Sequence, residues 1–574
     1  VYAQWQQGNL TRYDRRTGES VYIKPQAGEG EEPDRYNWDS PILISPHNSS
    51  TLYFGTQRVW KSEDYGDSWT AISGDLTRNE DRVRRPVMGR TWSYDAPRDL
   101  YAMSQFNTVT SLSESPLVPG LIYAGTDDGL IQISENGGQS WRTVDSLPGV
   151  PDRFFVNDIK ADLHDADTVY LVVDDHKHGD LSPYILKSDN RGRSWRSIAS
   201  NLPERHLLWR VVQDHVRPGL LFLGTEFGVF FTVNGGGTWT KLKGGTPNIA
   251  FRDLVIQTRE NDLVGATFGR SFYILDDYTP LRAVTEDMLE SGNVLFPVRK
   301  ALWYVQKRDL GCLEPLCQAS QGDSYFVAPN PDFGAVFTYY LADGFKSSKD
   351  ARREKEEEQE AENENVVAAS WDTVLREDRE DEPAIVLTIT NSNGNIVRQI
   401  EAPAEAGFHR AAWDLRYPSL ETWTPEDEEN YFVSGGVLVV PDTFNVQMHV
   451  RKDGATRALG DPQSFEVESV RPNPVLPGST QEQRVIFESQ VAELSRAATG
   501  TDASIGEIID ELDAVKATLE RSLTDGSLYE LANSIQQNLK IQRDRLGGNE
   551  KRDIYNDPVS YTHLTLPTKV LVCS

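Results

Sequence analysis

The sequence is short of basic residues, of long apolar runs and of common catalytic motifs, and each shortage argues against a class of protein. Its 58 lysines and arginines are outnumbered by 87 acidic residues, which gives a formal net charge of −29. Such a charge argues against a general nucleic-acid binder and against binding to anionic membrane surfaces. No apolar run approaches the length of a membrane-spanning helix. The sequence also has no Ser-His-Asp nucleophile motif, phosphate-binding loop or dinucleotide fingerprint.

Cysteine is scarce, with only 3 in the chain. Cys312 and Cys317 have too few other ligands nearby for a metal site, so we expect either a short disulfide of an oxidising compartment or two free thiols in a loop. Cys573 lies in residues 559–574, which resemble the translation of a sequencing adapter, and we expect that segment to be an artefact. Because Val1 begins within strand-like sequence, we interpret the chain as a fragment whose signal peptide is missing.

The remaining composition is that of a folded, mainly β protein with several domains. Apolar residues make up 38% of the 574 residues and aromatic residues 10%, which excludes a fully disordered chain. A chain of this length is expected to form three or four domains. The 30 prolines and 43 glycines are spread along the chain, as in loop-rich all-β proteins.

One pattern, Ser/Thr-x-Asp/Asn-x-Gly-x-Ser/Thr-Trp, occurs four times in the first half of the chain. The Asp or Asn side chain can accept backbone N–H bonds across a turn, and the glycine permits a positive φ. The tryptophan then begins the next strand and packs on the sheet. We therefore expect four structural turns, whose defining residues are Ser62, Asp64, Gly66 and Trp69; Ser134, Asn136, Gly138 and Trp141; Ser188, Asn190, Gly192 and Trp195; and Thr232, Asn234, Gly236 and Trp239.

Apolar strands precede each turn, so that each repeat contains four short strands. Leu52–Thr56 and Leu121–Thr126 are examples of the strand that comes before the turn. Four-stranded units that repeat every roughly 45–70 residues predict the blades of a β-propeller. We predict a partial propeller over residues 1–290, with about five full blades and part of another.

The four turns resemble the Asp-box, or bacterial neuraminidase repeat, of sialidases, xyloglucanase-type glycoside hydrolases and sortilin-like sorting receptors. Gly265–Asp277 and Asp39–His47 are similar to blade sequences of large bacterial secreted proteins of the sortilin-like or "glycosyl hydrolase" repeat type. The resemblance implies a multi-bladed Asp-box propeller and a secreted or periplasmic protein. It leaves the activity open, because enzymes and receptors share this motif.

The second half of the chain changes character twice. Alternating strands over residues 291–472 predict a β-sandwich, and Phe408–Arg416 resembles the immunoglobulin-like modules of flagellar hook-cap proteins. A charged insertion, residues 346–380, interrupts this domain, and we expect it to be a solvated helix or a disordered loop. Apolar residues at three- and four-residue spacing then predict a helical hairpin or bundle over residues 479–550.

Ligands of a propeller of this type are expected at the end opposite the turns, on the loops between second and third strands and on the loops that enter each inner strand. Charged and aromatic residues converge there, and the candidates for ligand binding are Arg58, Asp128, Trp209, Arg210, Arg252 and Arg270. The alternative is that arginines and aspartates at matching blade positions pair with one another. A glycoside hydrolase needs two carboxylates, one of them with a raised pKa. The candidates for that role are Asp127, Asp158, Asp174, Glu226 and Asp253.

Two further segments exceed what blade closure requires. The basic and aromatic insertion Gly74–Phe106 is expected to contact an acidic ligand, to cover the mouth of the site, or to dock on the protein's own acidic surface. His176 and His178 stand between carboxylates as in a weak metal motif, for which a solvated loop is the alternative. Taken together, the sequence predicts binding of a peptide, protein or glycan without a cofactor, with glycoside hydrolysis as the second hypothesis.

Overall fold

The computed structural model describes residues 1–86, 89–93, 105–306, 328, 330–419, 436–471 and 479–547. The chain divides into two compact units, Val1–Thr285 and Glu286–Ser574. The described residues are mainly β, which confirms the predicted fold class at that level. Cys312, Cys317 and residues 559–574 lie outside the described residues.

The strands described in the first unit form six small sheets, in which each strand pairs antiparallel with the next along the chain. The first sheet has three strands, β1 (Tyr2–Trp5), β2 (Asn9–Tyr13) and β3 (Ser20–Tyr22). The second and third sheets have four strands each, β4 (Ile42–Ile44), β5 (Leu52–Gly55), β6 (Val59–Ser62) and β7 (Thr70–Ala71), then β8 (Val109–Glu114), β9 (Ile122–Thr126), β10 (Ile131–Ser134) and β11 (Arg142–Val144).

The next two sheets repeat the four-stranded arrangement. The fourth sheet contains β12 (Phe155–Ala161), β13 (Val169–Asp175), β14 (Asp180–Ser188) and β15 (Arg196–Ser197). The fifth contains β16 (Leu208–Gln213), β17 (Leu221–Thr225), β18 (Gly228–Thr232) and β19 (Thr240–Lys241). The sixth has three strands, β20 (Phe251–Gln257), β21 (Asp262–Thr267) and β22 (Phe272–Leu275). Short 3-10 helices lie at Arg82–Arg84, His176–His178 and Thr279–Arg282.

Successive sheets of the first unit pack face to face through apolar side chains. One buried cluster joins the third and fourth sheets through Tyr123, Ile133, Val156 and Leu171. The approach is so close at Gly125 that an added Cβ would stand 2.2 Å from Val156 Cγ1. Small antiparallel sheets stacked in this way are characteristic of β-propellers.

All four Trp-terminated turns use the same hydrogen bonds. In the first turn, the Gly66 N–H donates to Ser62 Oγ at 2.8 Å and the Ser68 N–H donates to Asp64 Oδ1 at 2.9 Å. The matching glycines all have positive φ, namely 94° at Gly66, 95° at Gly138, 72° at Gly192 and 92° at Gly236. The repeated sequence therefore gives a repeated backbone shape.

The tryptophans of these turns tie each sheet to the one before it. Three indole N–H groups donate to the carbonyl of an isoleucine that follows the last strand of the preceding sheet, Trp69 to Ile23 at 2.8 Å, Trp141 to Ile72 at 3.2 Å and Trp239 to Ile198 at 2.8 Å. Trp195 Nε1 is buried and has no hydrogen-bond partner within the part of the chain that the structure describes. The turns lie beside the loops that join first and second strands, since the Gly137 N–H donates to Gly120 O. The opposite end of the sheets therefore holds the loops between second and third strands.

The second unit combines two sheets with helices. Its helices are α1 (Glu286–Ser291), α2 (Ser348–Ala361), α3 (Trp371–Glu377), α4 (Gln481–Leu519) and α5 (Ser527–Gly547). Its strands are β23 (Asn293–Leu295), β24 (Ala301–Trp303), β25 (Ala335–Leu341), β26 (Ala384–Thr390), β27 (Ile396–Ala402), β28 (Gly407–Trp413), β29 (Thr443–Lys452) and β30 (Ala455–Ser469). One sheet has the order β23-β25-β28 and the other β24-β30-β29-β26-β27, with β24 parallel to β30.

Both sheets of the second unit contribute to one apolar core. Trp303, Phe337, Trp413 and Phe465 are almost fully buried within it. The charged insertion forms α2 and α3, which Arg352 links through Glu377 at 2.7 Å. Helix α5 packs against the C-terminal half of α4, since Gln536 Nε2 donates to Ile509 O at 3.1 Å and Arg543 pairs with Asp502 at 3.0 Å. Among the described residues, no helix combines the length and the hydropathy that a membrane span requires.

Candidate ligand-binding cleft

A cleft opens between the third and fourth sheets of the first unit, at the end that holds the loops between second and third strands. It encloses about 700 Å³, including the open space at its mouth. The loop after β9, the start of β12, the segment after β13 and the 3-10 helix Arg82–Arg84 contribute to its walls. Its lining residues are Arg82, Arg85, Pro86, Gln105, Phe106, Asp127, Asp128, Arg153, Phe155, Asp174, Asp175, Lys177 and His178.

Asp127 follows directly after β9 and is one of the least exposed charged groups of the cleft, with 8% of its surface accessible. Thr108 donates to both carboxylate oxygens, its N–H to Oδ1 at 2.8 Å and its Oγ1 to Oδ2 at 2.9 Å. Burial raises the pKa of Asp127 to about 7, even though the bonds from Thr108 lower it. The carboxyl group is therefore partly protonated near neutral pH.

Lys177 lies at the middle of the 3-10 helix His176–His178. Its Nζ stands 4.7 Å from the centre of the Phe155 ring. Burial lowers the pKa of Lys177, and the carboxylates of Asp127 and Asp174 only partly offset this. Lys177 is partly exposed, and within the described ranges its Nζ has no hydrogen-bond or ion-pair partner. The cleft thus presents a cation that no contact from the described residues neutralises.

Two aspartates of the cleft are each paired with a histidine of the same 3-10 helix. Asp174 binds His176 Nδ1 and accepts from Asn157 Nδ2 at 2.7 Å, while Asp175 binds His178 Nδ1. Burial raises the pKa of Asp174, but the contacts with His176 and Asn157 outweigh it and hold the pKa below its usual value. The histidines bind separate carboxylates. Among the described residues, no group of three or more His, Cys, Asp or Glu side chains could hold a metal ion.

The described part of the insertion Gly74–Phe106 docks on the protein's own acidic groups. The Arg78 N–H donates to Asp128 Oδ2 at 2.7 Å, and Arg78 Nε donates to Asp128 O at 2.9 Å. Asp128 Oδ1 accepts from Thr126 Oγ1, so contacts within the protein occupy both carboxylate oxygens. Arg85 and Arg153 share the carboxylate of Glu80 at the mouth of the cleft. Of the three expectations for this segment, its own acidic contacts are the ones visible here.

Trp209 forms a second cluster of the predicted site residues, next to the cleft. Its indole N–H donates to Glu226 Oε2 at 3.1 Å, and the Arg252 guanidinium lies 3.7 Å from the ring centre. The edge of the His176 ring faces the same indole at 6.2 Å. Burial lowers the pKa of Arg252, although Glu226 offsets part of the effect.

The other predicted arginines are mostly engaged in ion pairs. Arg210 contacts Asp158 at 2.9 Å and Asp253 at 2.8 Å. Burial opposes the charge of Arg210, but the two carboxylates outweigh it and raise its pKa. Arg58 contacts Asp34 at 2.9 Å and Glu31 at 2.8 Å, whereas Arg270 is exposed and donates to Gly269 O. This is the pairing between arginines and carboxylates that the sequence left open as the alternative to ligand binding.

Several residues that shape the cleft were not among the sequence candidates. Lys177 lies between His176 and His178, the two residues of the weak metal motif, but nothing in the sequence indicates that its amine lines a cleft. Thr108 immediately precedes β8 and Phe155 begins β12, so these residues belong to two different sheets, and their meeting at one cleft depends on how those sheets pack. The missing signal was three-dimensional proximity.

The chain was compared with protein families, curated proteins and solved structures. No family model matches, and no curated protein matches. Among solved structures, the GH74 xyloglucanase from Xanthomonas campestris is 15% identical, with 80% of this chain and 70% of that chain covered and a TM-score of 0.36. PorZ of the type-IX secretion system of Porphyromonas gingivalis is 13% identical, with 82% and 58% covered and a TM-score of 0.36.

A third similar structure, YCF48 bound to D1 peptide, is 13% identical, with 47% of this chain and 72% of that chain covered and a TM-score of 0.31. The chain spans about half the length of an ancestral GH74 enzyme that it also matches, with 47% of that chain covered. These neighbours include enzymes and a peptide-binding protein.

Proposed function

We propose that the first unit is a ligand-binding propeller that holds a glycan or an extended peptide in the cleft between the third and fourth sheets. The observation that supports this is the partly buried ammonium group of Lys177, which has no hydrogen-bond or ion-pair partner among the described residues and stands beside the Phe155 ring, in the cleft that Asp127 and Asp174 also line. A polar ligand can supply the hydrogen-bond acceptor that no described residue provides for Nζ. Phe155 and Phe106 offer apolar faces on which a sugar ring or an aliphatic side chain can lie.

The proposal extends to the architecture around the cleft. The six sheets are blades of an Asp-box propeller, supported by the identical hydrogen bonds of the four Trp-terminated turns. The two sheets of the second unit are an immunoglobulin-like sandwich, and the protein works outside the cytoplasm, as the sequence resemblance implies. In this role the second unit needs no chemistry of its own.

Binding is tested with the full chain and a defined set of probes. A panel of neutral and acidic oligosaccharides, with xyloglucan fragments included, and a library of heptapeptides are screened against the wild type, Lys177→Met and Lys243→Met. Lys243 is exposed and lies on another sheet, so it serves as a matched control for the loss of one charge. We expect at least one probe to bind the wild type and the Lys243→Met variant equally. Its affinity for Lys177→Met should fall at least about tenfold. The proposal fails if no probe binds or if Lys177→Met retains full affinity.

A second function, glycoside hydrolysis, is favoured by a separate observation. Asp127 and Asp174 line the same cleft, and their pKa values are displaced in opposite directions, up for Asp127 and down for Asp174. Retaining and inverting glycosidases combine a protonated acid with an ionised carboxylate in this way. Here Asp127 would protonate the leaving oxygen and Asp174 would act as the base or nucleophile.

Hydrolysis is tested with xyloglucan and aryl glycosides across a range of pH. If Asp127 is the acid, the rate should fall as the pH rises above about 7, because the reaction needs its protonated form. Asp127→Asn should lose at least about a hundredfold in kcat while still binding the substrate. Absence of turnover in the wild type at every pH would leave binding as the function.

A further inference from the structure

The sixth sheet differs from the four-stranded sheets that precede it in the chain. In each of those sheets, the third strand pairs with a short fourth strand, as β18 does with β19 at Phe231 and Thr240. In the part of the chain that the structure describes, β22 pairs only with β21. Two of its side chains are strongly exposed, Phe272 at 70% and Ile274 at 58%. An exposed apolar edge strand of this kind can pair with a further strand.

A slot lies beside β22, between the fifth and sixth sheets. It encloses about 560 Å³, including its open mouth. Apolar side chains provide most of its walls, among them Leu242, Leu254 and Tyr273. Gly244 and Gly245 lie along it and add no side chain.

The walls of this slot correspond, position by position, to residues that surround Trp239 one sheet earlier. In the fifth sheet, Leu223 pairs with Val211 and Phe230, and in the sixth sheet Gly265 pairs with Leu254 and Tyr273. The Ile198 N–H donates to Ile185 O, and the Leu242 N–H donates to Val229 O in the same way. Trp239 belongs to one buried cluster with six other residues of this comparison, namely Val211, Leu223, Phe230, Ile185, Ile198 and Leu202. The slot is lined by their counterparts, which in the same order are Leu254, Gly265, Tyr273, Val229, Leu242 and Thr246.

The backbone acceptor is also repeated. Trp239 Nε1 donates to Ile198 O at 2.8 Å. The counterpart of that oxygen is Leu242 O, and no donor reaches it from the residues that the structure describes. The slot therefore offers both the apolar walls and the carbonyl that an indole uses in the neighbouring sheet.

The occupant must be extended as well as aromatic. The N–H of Thr267, the last residue of β21, donates to the carbonyl of Ser271, which precedes β22. Because hydrogen-bonded and non-hydrogen-bonded pairs alternate along an antiparallel pair, the N–H and C=O groups of Phe272 and Ile274 point away from β21. A strand that pairs with this edge places the residue before its paired segment over the slot, as Trp239 precedes β19. The turn segments of a second copy are poor donors, because each of the four short strands that follow a turn tryptophan, β7, β11, β15 and β19, is already paired within its own sheet.

We propose that the open edge of β22 and the adjoining slot form a docking site for an extended, tryptophan-containing segment of a partner protein. The segment adds antiparallel to β22 and inserts its indole between the fifth and sixth sheets, with its N–H donating to Leu242 O. Backbone pairing gives the affinity and the slot selects the aromatic side chain. This site is separate from the cleft that contains Lys177.

The test uses the full chain and a synthetic peptide that copies residues 236–242, the strand that fills the equivalent place one sheet earlier. A matched peptide replaces its tryptophan with alanine. Calorimetric titration should detect saturable binding of the first peptide and at least about tenfold weaker binding of the second. Equal affinity of the two peptides, or no binding at the solubility limit of the first, would overturn the proposal.

Variants of the protein locate the binding on β22. Ile274→Pro removes an edge N–H, and Thr246→Trp places an indole in the slot from a loop, where folding is less at risk. Each should weaken the tryptophan peptide at least about tenfold, whereas Phe268→Ala, an exposed residue outside the slot, should leave the affinity unchanged. If the protein instead self-associates, and both Ile274→Pro and Thr246→Trp abolish that association, the occupant is a second copy and the proposed partner protein is wrong.

Discussion

Asp127 and Lys177 have side chains of opposite charge, and burial disfavours the charged form of each. The two groups do not form an ion pair. Burial raises the pKa of the acid to about 7 and lowers that of the amine, so both shift toward the neutral form. The reverse holds at ion pairs such as that of Arg210, where carboxylates outweigh burial and raise the pKa. The cleft is therefore a place where the protein tolerates poorly solvated polar groups, which is more common at functional sites than elsewhere.

The raised pKa of Asp127 makes the stability of the protein depend on pH. In an unfolded chain an aspartate has a pKa of about 3.9, so between that value and about 7 the folded protein binds a proton that the unfolded chain has released. The stability linked to this proton is fully present below about pH 4 and is lost as the pH rises through 7. Asp127→Asn retains a neutral group of the same shape and should remove this loss.

Urea unfolding of the wild type and Asp127→Asn at several pH values between 4 and 8 measures the effect. We expect the free energy of unfolding of the variant, relative to that of the wild type, to increase as the pH rises, by up to about 4 kcal/mol. Asp145→Asn is a suitable control, because Asp145 is exposed and has no ion-pair partner among the described residues. Curves that run parallel for wild type and Asp127→Asn would contradict the raised pKa.

At the scale of single elements, the four turns are the clearest case in which sequence predicted structure. Each turn depends on bonds among residues at most four positions apart, so the pattern contains all the information needed. The charged insertion was less determined, because the same composition suits a helix or a loop, and the helix there gains a contact between Arg352 and the distant Glu377. The cleft was least predictable, since Thr108 and Asp127 adjoin strands of the third sheet whereas Lys177 follows a strand of the fourth.

The turns also allow the contribution of one indole hydrogen bond to stability to be measured, by comparing Trp239, which has the bond, with Trp195, which has no partner among the described residues. Trp239→Phe removes the bond to Ile198 O, whereas Trp195→Phe removes a buried N–H that has no partner among the described residues. We expect Trp239→Phe to lower the free energy of unfolding by about 1–2 kcal/mol more than Trp195→Phe, since both lose similar ring area. Chemical denaturation of the two variants gives the comparison. A larger loss for Trp195→Phe would show that the indole bond is not the deciding difference.

The division of the whole molecule into two compact units has a thermodynamic consequence. The second unit has its own core, in which Phe337 is fully buried and its ring centre lies 5.5 Å from that of Phe465. The first unit has several cores, one of which contains the fully buried Phe222. Chains with separate cores commonly unfold in more than one step, so a single midpoint does not describe them.

Two alanine substitutions separate the steps. Phe337→Ala should destabilise the second unit by about 3–5 kcal/mol, and Phe222→Ala should do the same for the first unit. Scanning calorimetry of the full chain should therefore resolve two transitions, each moved to lower temperature by only one of the substitutions. If both substitutions moved one common transition by the same amount, the two units would be unfolding as a single cooperative block, because a cavity in either core would then be felt by the whole chain.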